Sequence, residues 1–138
     1  MTQADIGALA AELAVRNLIA RVAQLADTGD LGEYGGCWAQ DGAWEYPGSP
    51  VHGRAAIVAA AAERRRLGTT GPGSGTRHMI TTLQVRVDSA DTATADSYFV
   101  FLKDEDTGPK LLVMGAYQDT VRRTADGWQV ARRQITLG

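Results

Sequence analysis

His78 and Asp27 are the two residues of this chain whose types and positions best suit proton-transfer chemistry. An imidazole titrates near neutral pH and can take up a proton and give it back within one cycle. His78 opens a strand-like run whose next residues, Met79 to Val85, carry no charge. Asp27 falls in the last turn of the first helical segment, where a carboxylate faces the negative end of the helix dipole and costs stability. A residue kept where it weakens a helix is expected to serve something else. A carboxylate that orients an imidazole and stabilises its charged form is a recurrent acid–base device, so His78 is the expected partner. Each residue also has a plainer reading, His78 as a strand cap or satisfied buried polar group and Asp27 as an acceptor for the Thr28–Asp30 turn.

Other candidates are aromatic or basic. Trp44, Tyr98 and Tyr117 are candidate substrate-binding residues, each with core packing as its alternative. Arg132 and Arg133 are adjacent on a strand and must point to opposite faces; Arg133 shares its side with Ala131 and Ile135 and is expected inward. Cys37 is the only cysteine, so no disulfide forms within the chain, and beside Trp38 it reads as a small buried hydrophobe. No Cys or His spacing matches a metal site. Gly71, Gly73 and Gly75 lack the preceding strand and the Lys-Ser or Lys-Thr pair of a phosphate-cradling loop, and read as a mobile rim. Chemistry without metal or cofactor, on a small apolar organic substrate, is the expectation.

Composition narrows the class further. With 138 residues, 44% of them hydrophobic, the chain has room for one domain, residues 1–138, around one core. A net charge of -2 and a pI of 5.6 argue against a nucleic-acid partner. No segment is apolar and long enough to cross a membrane, and the N-terminus lacks the pattern of a secretory signal, so a cytoplasmic location is expected.

The elements that must position these residues follow from periodicity. Helix-spaced Ile6, Leu9, Leu13, Leu18, Val22 and Leu25 predict a long amphipathic helix from about Asp5 to Asp27, stopped by Gly29. Asp30 and Glu33 look like a capping pair for a short second helix through Trp38. Asp41 and Gly42 turn the chain into a short strand, Ala43 to Tyr46, with Trp44 and Tyr46 on one face; Pro47, Gly48 and Pro50 end it. His52 then sits in a polar turn. A third helix runs from about Arg54 to Leu67, with Arg64, Arg65 and Arg66 complementing the dipole at its end. Four strands follow, about 77–88, 92–103, 110–123 and 127–137, and their short connections predict an antiparallel meander. Trp128 is read as packing in the core or under a subunit contact. Helices preceding such a sheet make an α+β domain, and a curved sheet folded over a long helix leaves a cone-shaped cavity. Apolar residues on both faces of the last strands, Leu112, Met114, Val121, Val130 and Ile135 among them, predict a homodimer or homotrimer covering the outer face.

Seven segments carry a family resemblance: Leu-Ala-Asp-Thr-Gly-Asp at 25–30, Trp-Ala-Gln-Asp-Gly-Ala at 38–43, His-Gly-Arg at 52–54, Thr-Arg-His-Met-Ile-Thr at 76–81, Thr-Ala-Thr-Ala-Asp-Ser-Tyr at 92–98, Gly-Ala-Tyr-Gln-Asp at 115–119 and Asp-Gly-Trp-Gln-Val-Ala-Arg-Arg at 126–133. With them the chain resembles the SnoaL-like branch of the nuclear transport factor 2-like superfamily, which includes scytalone dehydratase, a bile acid dehydratase and a hexachlorocyclohexane dehydrochlorinase. The resemblance implies a cone-shaped fold with three N-terminal helices on a curved, mostly antiparallel sheet. It also implies a cofactor-independent lyase, most plausibly a dehydratase, with Asp27 and His78 at the family's catalytic aspartate and histidine. Tyr46 matches one of the tyrosines by which scytalone dehydratase holds a water against the substrate carbonyl. The other tyrosine aligns with Ala26, and that enzyme's second catalytic histidine has no counterpart, the only other histidine here being His52. An isomerase, cyclase or epoxide-opening enzyme would use the same parts, and a non-catalytic binding module would keep the same cone.

Overall fold

A capping box starts the first helix: Thr2 Oγ1 accepts from the backbone N–H of Asp5 at 3.1 Å while the Asp5 carboxylate accepts from the N–H of Thr2 at 2.9 Å. From there α1 runs unbroken over Gln3–Thr28 in the computed structural model, which describes residues 1–138. Gly29 caps it, its backbone extended at ψ -178° and its N–H donating to the carbonyl of Leu25 at 2.9 Å, and a Cβ at that position would collide with the Leu25 side chain. The buried stripe is Ala11, Val15, Leu18, Ile19, Val22, Ala23 and Leu25, the spacing of one helical face. Ile6, Leu9 and Leu13, expected on that face, stay exposed at 49, 49 and 63%. The first turns only flank the Val87 end of the sheet, where Leu9 borders a shallow groove, so nothing covers them.

Asp30 caps α2 (Leu31–Gly36) by accepting from the N–H of Glu33 at 3.0 Å. The helix does not reach Trp38. Cys37 closes it, and Trp38 instead opens β1 (Trp38–Tyr46), which lies parallel to the last strand. Asp41 and Gly42 form no turn either; the ladder slips there and resumes at Ala43, an irregularity inside one strand. Gly42 permits the slip, since a Cβ at that position would meet Ala39 O at 2.9 Å. Pro47 and Gly48 turn the chain, but Pro50 does not end the sheet: β2 (Ser49–His52) folds back on β1 as an edge strand, where a residue without an N–H is tolerated. His52 is exposed on that edge.

After α3 (Arg54–Arg66) the chain forms β3 (Thr76–Val87), β4 (Thr92–Glu105), β5 (Gly108–Thr124) and β6 (Gly127–Leu137), the expected antiparallel meander. The full sheet has order β2-β1-β6-β5-β4-β3, antiparallel except where β1 meets β6. On β3 the inward residues are Thr76, His78 and Ile80 and then Leu83, Val85 and Val87, so the alternation changes phase. The cause is a bulge between Thr81 and Gln84, with Thr82 in the left-handed region at φ 50°. Without it, Thr82, Gln84 and Arg86 would face the core, and the bulge keeps His78 and Val85 on the same side.

The core centres on Val15, Ile19, Val22, Trp38, Ile57, Val121 and Val130, sealing α1 and α3 against the closed end of the sheet. Trp128 packs against its margin. A second cluster, Phe99, Tyr117 and Ile135, lies toward the open end, and between the two the sheet and helices leave a cavity. The His-Gly-Arg segment serves this frame: Gly53 takes φ 91° to start α3, and Arg54 donates from Nε and Nη2 to the carbonyl of Trp38 at 2.9 and 2.6 Å. No helix is long and apolar enough to cross a membrane.

Candidate active site

The end of α1 meets the head of β3, and there Asp27 and His78 come together. Asp27 Oδ1 lies 2.7 Å from His78 Nδ1, and the carboxylate also accepts from the backbone N–H of His78, at 3.2 Å to Oδ1 and 3.0 Å to Oδ2. Asp27 is buried, 4% exposed, and its side chain bonds to β3 rather than to the Thr28–Asp30 turn. An ionised carboxylate only accepts hydrogen bonds, so Nδ1 is assigned the hydrogen and Nε2 keeps its lone pair. The ring packs 4.5 Å from Phe101 and borders the cavity.

The three arginines ending α3 read in sequence as one helix terminus, yet they do three things. Arg66 pairs with Glu63 on the surface. Arg65 reaches across to α1, where its Nη2 donates to the carbonyls of Leu25, Ala26 and Gly29 at 2.9, 3.3 and 2.9 Å. The last turn of α1 has no basic residue of its own, so this guanidinium supplies the positive charge that offsets the cost of Asp27 there. Arg64 turns to the cavity, with its guanidinium carbon 5.0 Å from the centre of the Trp44 ring.

The cavity measures about 440 Å³, within the range of small-molecule sites, and most of its lining is hydrophobic. Trp44 and Tyr46 both border it, stacked with centroids 5.4 Å apart, as expected for residues on one face of a strand. Tyr117 lies deeper, stacked on Phe99 at 4.3 Å; burial pushes its phenol up to about 12. Arg133 faces inward as its strand alternation predicts, and its guanidinium carbon sits 3.9 Å from the Tyr117 ring centre. What the sequence reading missed is its partner. Asp119, directly across the ladder on β5, accepts from Arg133 Nε at 2.8 Å and from Nη2 at 3.0 Å in a bidentate pair. Burial disfavours the buried guanidinium's charge, but the Asp119 carboxylate outweighs it and holds the group charged. The signal was present, since Asp119 shares a strand face with Tyr117 and Val121, and an inward arginine needs a counter-charge.

Tyr98 does not belong to the site. Phe99 and Phe101 point into the cone, so strand alternation sends Tyr98 to the opposite face, where it is 57% exposed. Cys37 is buried, and burial pushes its thiol up, away from the reactive thiolate. No group of three or more His, Cys, Asp or Glu side chains is gathered closely enough to hold a metal ion.

A six-stranded curved sheet backed by N-terminal helices, with a cavity between, places the chain among the nuclear transport factor 2-like, cystatin-like folds. An NTF2-like protein of this fold from Novosphingobium aromaticivorans shares 32% identity and a TM-score of 0.87, over 97% of this chain and 86% of that one. Rv3472 from Mycobacterium tuberculosis, described as of unknown function, shares 31% identity at a TM-score of 0.79, over 91% and 75% of the two chains. A scytalone dehydratase-like protein from Novosphingobium aromaticivorans, at 18% identity, shares the fold with a TM-score of 0.77 over 97% of this chain and 88% of that one. Within the superfamily the chain belongs to the SnoaL-like domain family, which matches residues 7–134. No curated protein matches it significantly.

Proposed function

We propose that this protein is an acid–base lyase of the dehydratase type, acting on a mostly apolar cyclic or polyketide-like hydroxy compound. The observation that carries the reading is the Asp27–His78 contact at 2.7 Å beside an open apolar cavity. With Nδ1 held by the carboxylate, Nε2 is the nitrogen left to act. It removes a proton from the carbon next to an activating carbonyl, and Asp27 stabilises the imidazolium that forms. The imidazolium then returns that proton to the departing hydroxyl, so the products are the unsaturated carbonyl compound and water, and the imidazole ends neutral. Tyr46 donates a hydrogen bond to the carbonyl or to the leaving oxygen. Trp44, Tyr117 and Arg133 hold the substrate, with Arg133 presenting a fixed, counter-charged guanidinium at the cavity wall. The fold likeness to a scytalone dehydratase-like protein is consistent with this class of reaction.

The test is loss of water from a panel of hydroxylated bicyclic ketones, followed by mass spectrometry. His78→Ala and Asp27→Asn should each slow turnover by about 10²- to 10⁴-fold, the range for a positioned acid–base group. Asparagine keeps one oxygen to accept from the His78 N–H, so the variant should stay folded by circular dichroism. Because the two residues act as a unit, the double variant should be little slower than the worse single one. Additive losses would show that the pair does not work together. Rearranged or cyclised products would assign the same machinery to an isomerase or cyclase, and binding without turnover would leave a ligand-binding module.

A further inference from the structure

Arg64 is a cation that the acid–base pair does not use. It is half-buried at the end of α3, with its guanidinium carbon over the Trp44 ring, and Trp44 is itself stacked on Tyr46. None of the protein's ion pairs includes it. The contrast with Arg133 is direct, since Asp119 matches that charge with two hydrogen bonds. The field of Arg64 reaches into the cavity: Tyr34, 3% exposed, has its phenol pushed up by burial, and Arg64 is the foremost charge opposing that rise. A guanidinium over an indole face leaves its N–H donors free for a planar acceptor such as a carboxylate. The surrounding wall is aromatic, with Trp44, Tyr46, Phe99, Phe101 and Tyr117 bordering one space.

We propose that Arg64 recognises an anionic oxygen group on the substrate, so that the substrate class is a flat ring system carrying one carboxylate. The anion pairs with Arg64 beside Trp44 while the rings fill the apolar cavity. This deepens the dehydratase reading, on which it rests for the identity of the cavity as the reaction site. Arg64 is then a specificity residue, distinct from the pair that moves the proton.

The probes are 2-naphthoate and 2-naphthamide, which share ring and shape and differ in charge. Binding is measured by calorimetry and by quenching of tryptophan fluorescence at pH 8, with His78→Ala as the control for any contribution of the imidazole. Naphthoate should bind the wild-type protein at least about tenfold more tightly than naphthamide, the scale of one charge-assisted pair. Arg64→Gln should abolish that preference while leaving naphthamide affinity within about twofold, which also shows that the cavity is intact. Arg64→Lys should keep part of the preference as a point charge. Equal affinities in the wild type, a preference that survives Arg64→Gln, or no naphthoate binding at millimolar concentration would each overturn the proposal. His78→Ala separates the two ideas: it should keep the full preference for naphthoate, so a failed dehydration assay would leave the Arg64 assignment standing. Loss of the preference in His78→Ala would instead move the anion to the imidazole and overturn it.

Discussion

Removing Asp119 should unfold this protein more readily than removing any exposed charge. Asp119 and Arg133 face each other across β5 and β6, with side chains 0 and 5% exposed, and every donor–acceptor contact of the pair is bidentate and short. Asp119→Ala leaves a guanidinium that is still charged and has only the Tyr117 and Trp38 rings for company. Breaking a buried pair from one side costs about 3–5 kcal/mol. Arg133 borders the cavity, so water can partly solvate the stranded cation, which places the expectation near ~3 kcal/mol. With a urea slope of roughly 2 kcal/mol per molar, the unfolding midpoint should fall by about 1.5 M. Against a total stability of about 5–15 kcal/mol that is a large fraction. Replacing both partners, Asp119→Leu with Arg133→Met, removes the stranded charge and should recover most of the loss. The reasoning is refuted if Asp119→Ala moves the midpoint by less than about 0.5 M, or if the double variant is less stable than Asp119→Ala alone.

Burial holds Tyr117 neutral, up to about 12 against an ordinary 10.0, and pushes Tyr34 the same way. A folded-state value above the unfolded one means stability is complete below pH 10 and is lost as pH rises from 10 toward 12; in a phenolate titration two of the four tyrosines should ionise only as circular dichroism reports unfolding. If all four titrate together in native protein, burial does not govern them. Thr82 is exposed and β-branched at φ 50°, so Thr82→Asn should raise stability by about 0.5–1 kcal/mol in thermal melts, and a loss would mean that the threonine makes the bulge. Met79, Tyr98 and Met114, 57, 57 and 53% exposed, share the outer face of adjacent strands with Leu112. Light scattering at micromolar concentration should report a dimer or trimer that Tyr98→Glu dissociates, and a monomeric wild type would refute a covered outer face.

How far the sequence disclosed the site depended on whether the partner of each residue was local. Asp27 drew notice because its own helix turn penalised it, and the head of β3 offered one histidine. The inward side of Arg133 followed from its neighbours Ala131 and Ile135 by alternation. Asp119 stayed hidden because its meaning comes from the facing strand, although the ladder register makes it the residue opposite Arg133. The same rule would have corrected Tyr98, since Phe99 and Phe101 claim the inner face. In β1 the Asp-Gly pair has strong turn chemistry, and only a non-local parallel partner, β6, keeps the strand continuous through it. β2 was lost to Pro50 for a related reason: a proline argues against a central strand and says nothing against an edge.

The last turn of α3 connects these observations. A carboxylate at the end of α1 is electrostatically misplaced if that helix is considered alone, and Arg65 resolves the conflict by donating to three carbonyls of its final turns. One residue earlier, Arg64 points to the cavity and lies on Trp44. Asp27 in turn grips both the ring and the backbone N–H of His78, so α1 fixes where β3 begins as well as how the imidazole is turned. A displacement of α3 would therefore move Arg64 at the cavity and the Arg65 contacts to the end of α1 together. On the proposed reading the arginine run joins substrate recognition to the positioning of the proton-transfer group, because the helix end that borders the cavity also supplies the cation at the α1 terminus.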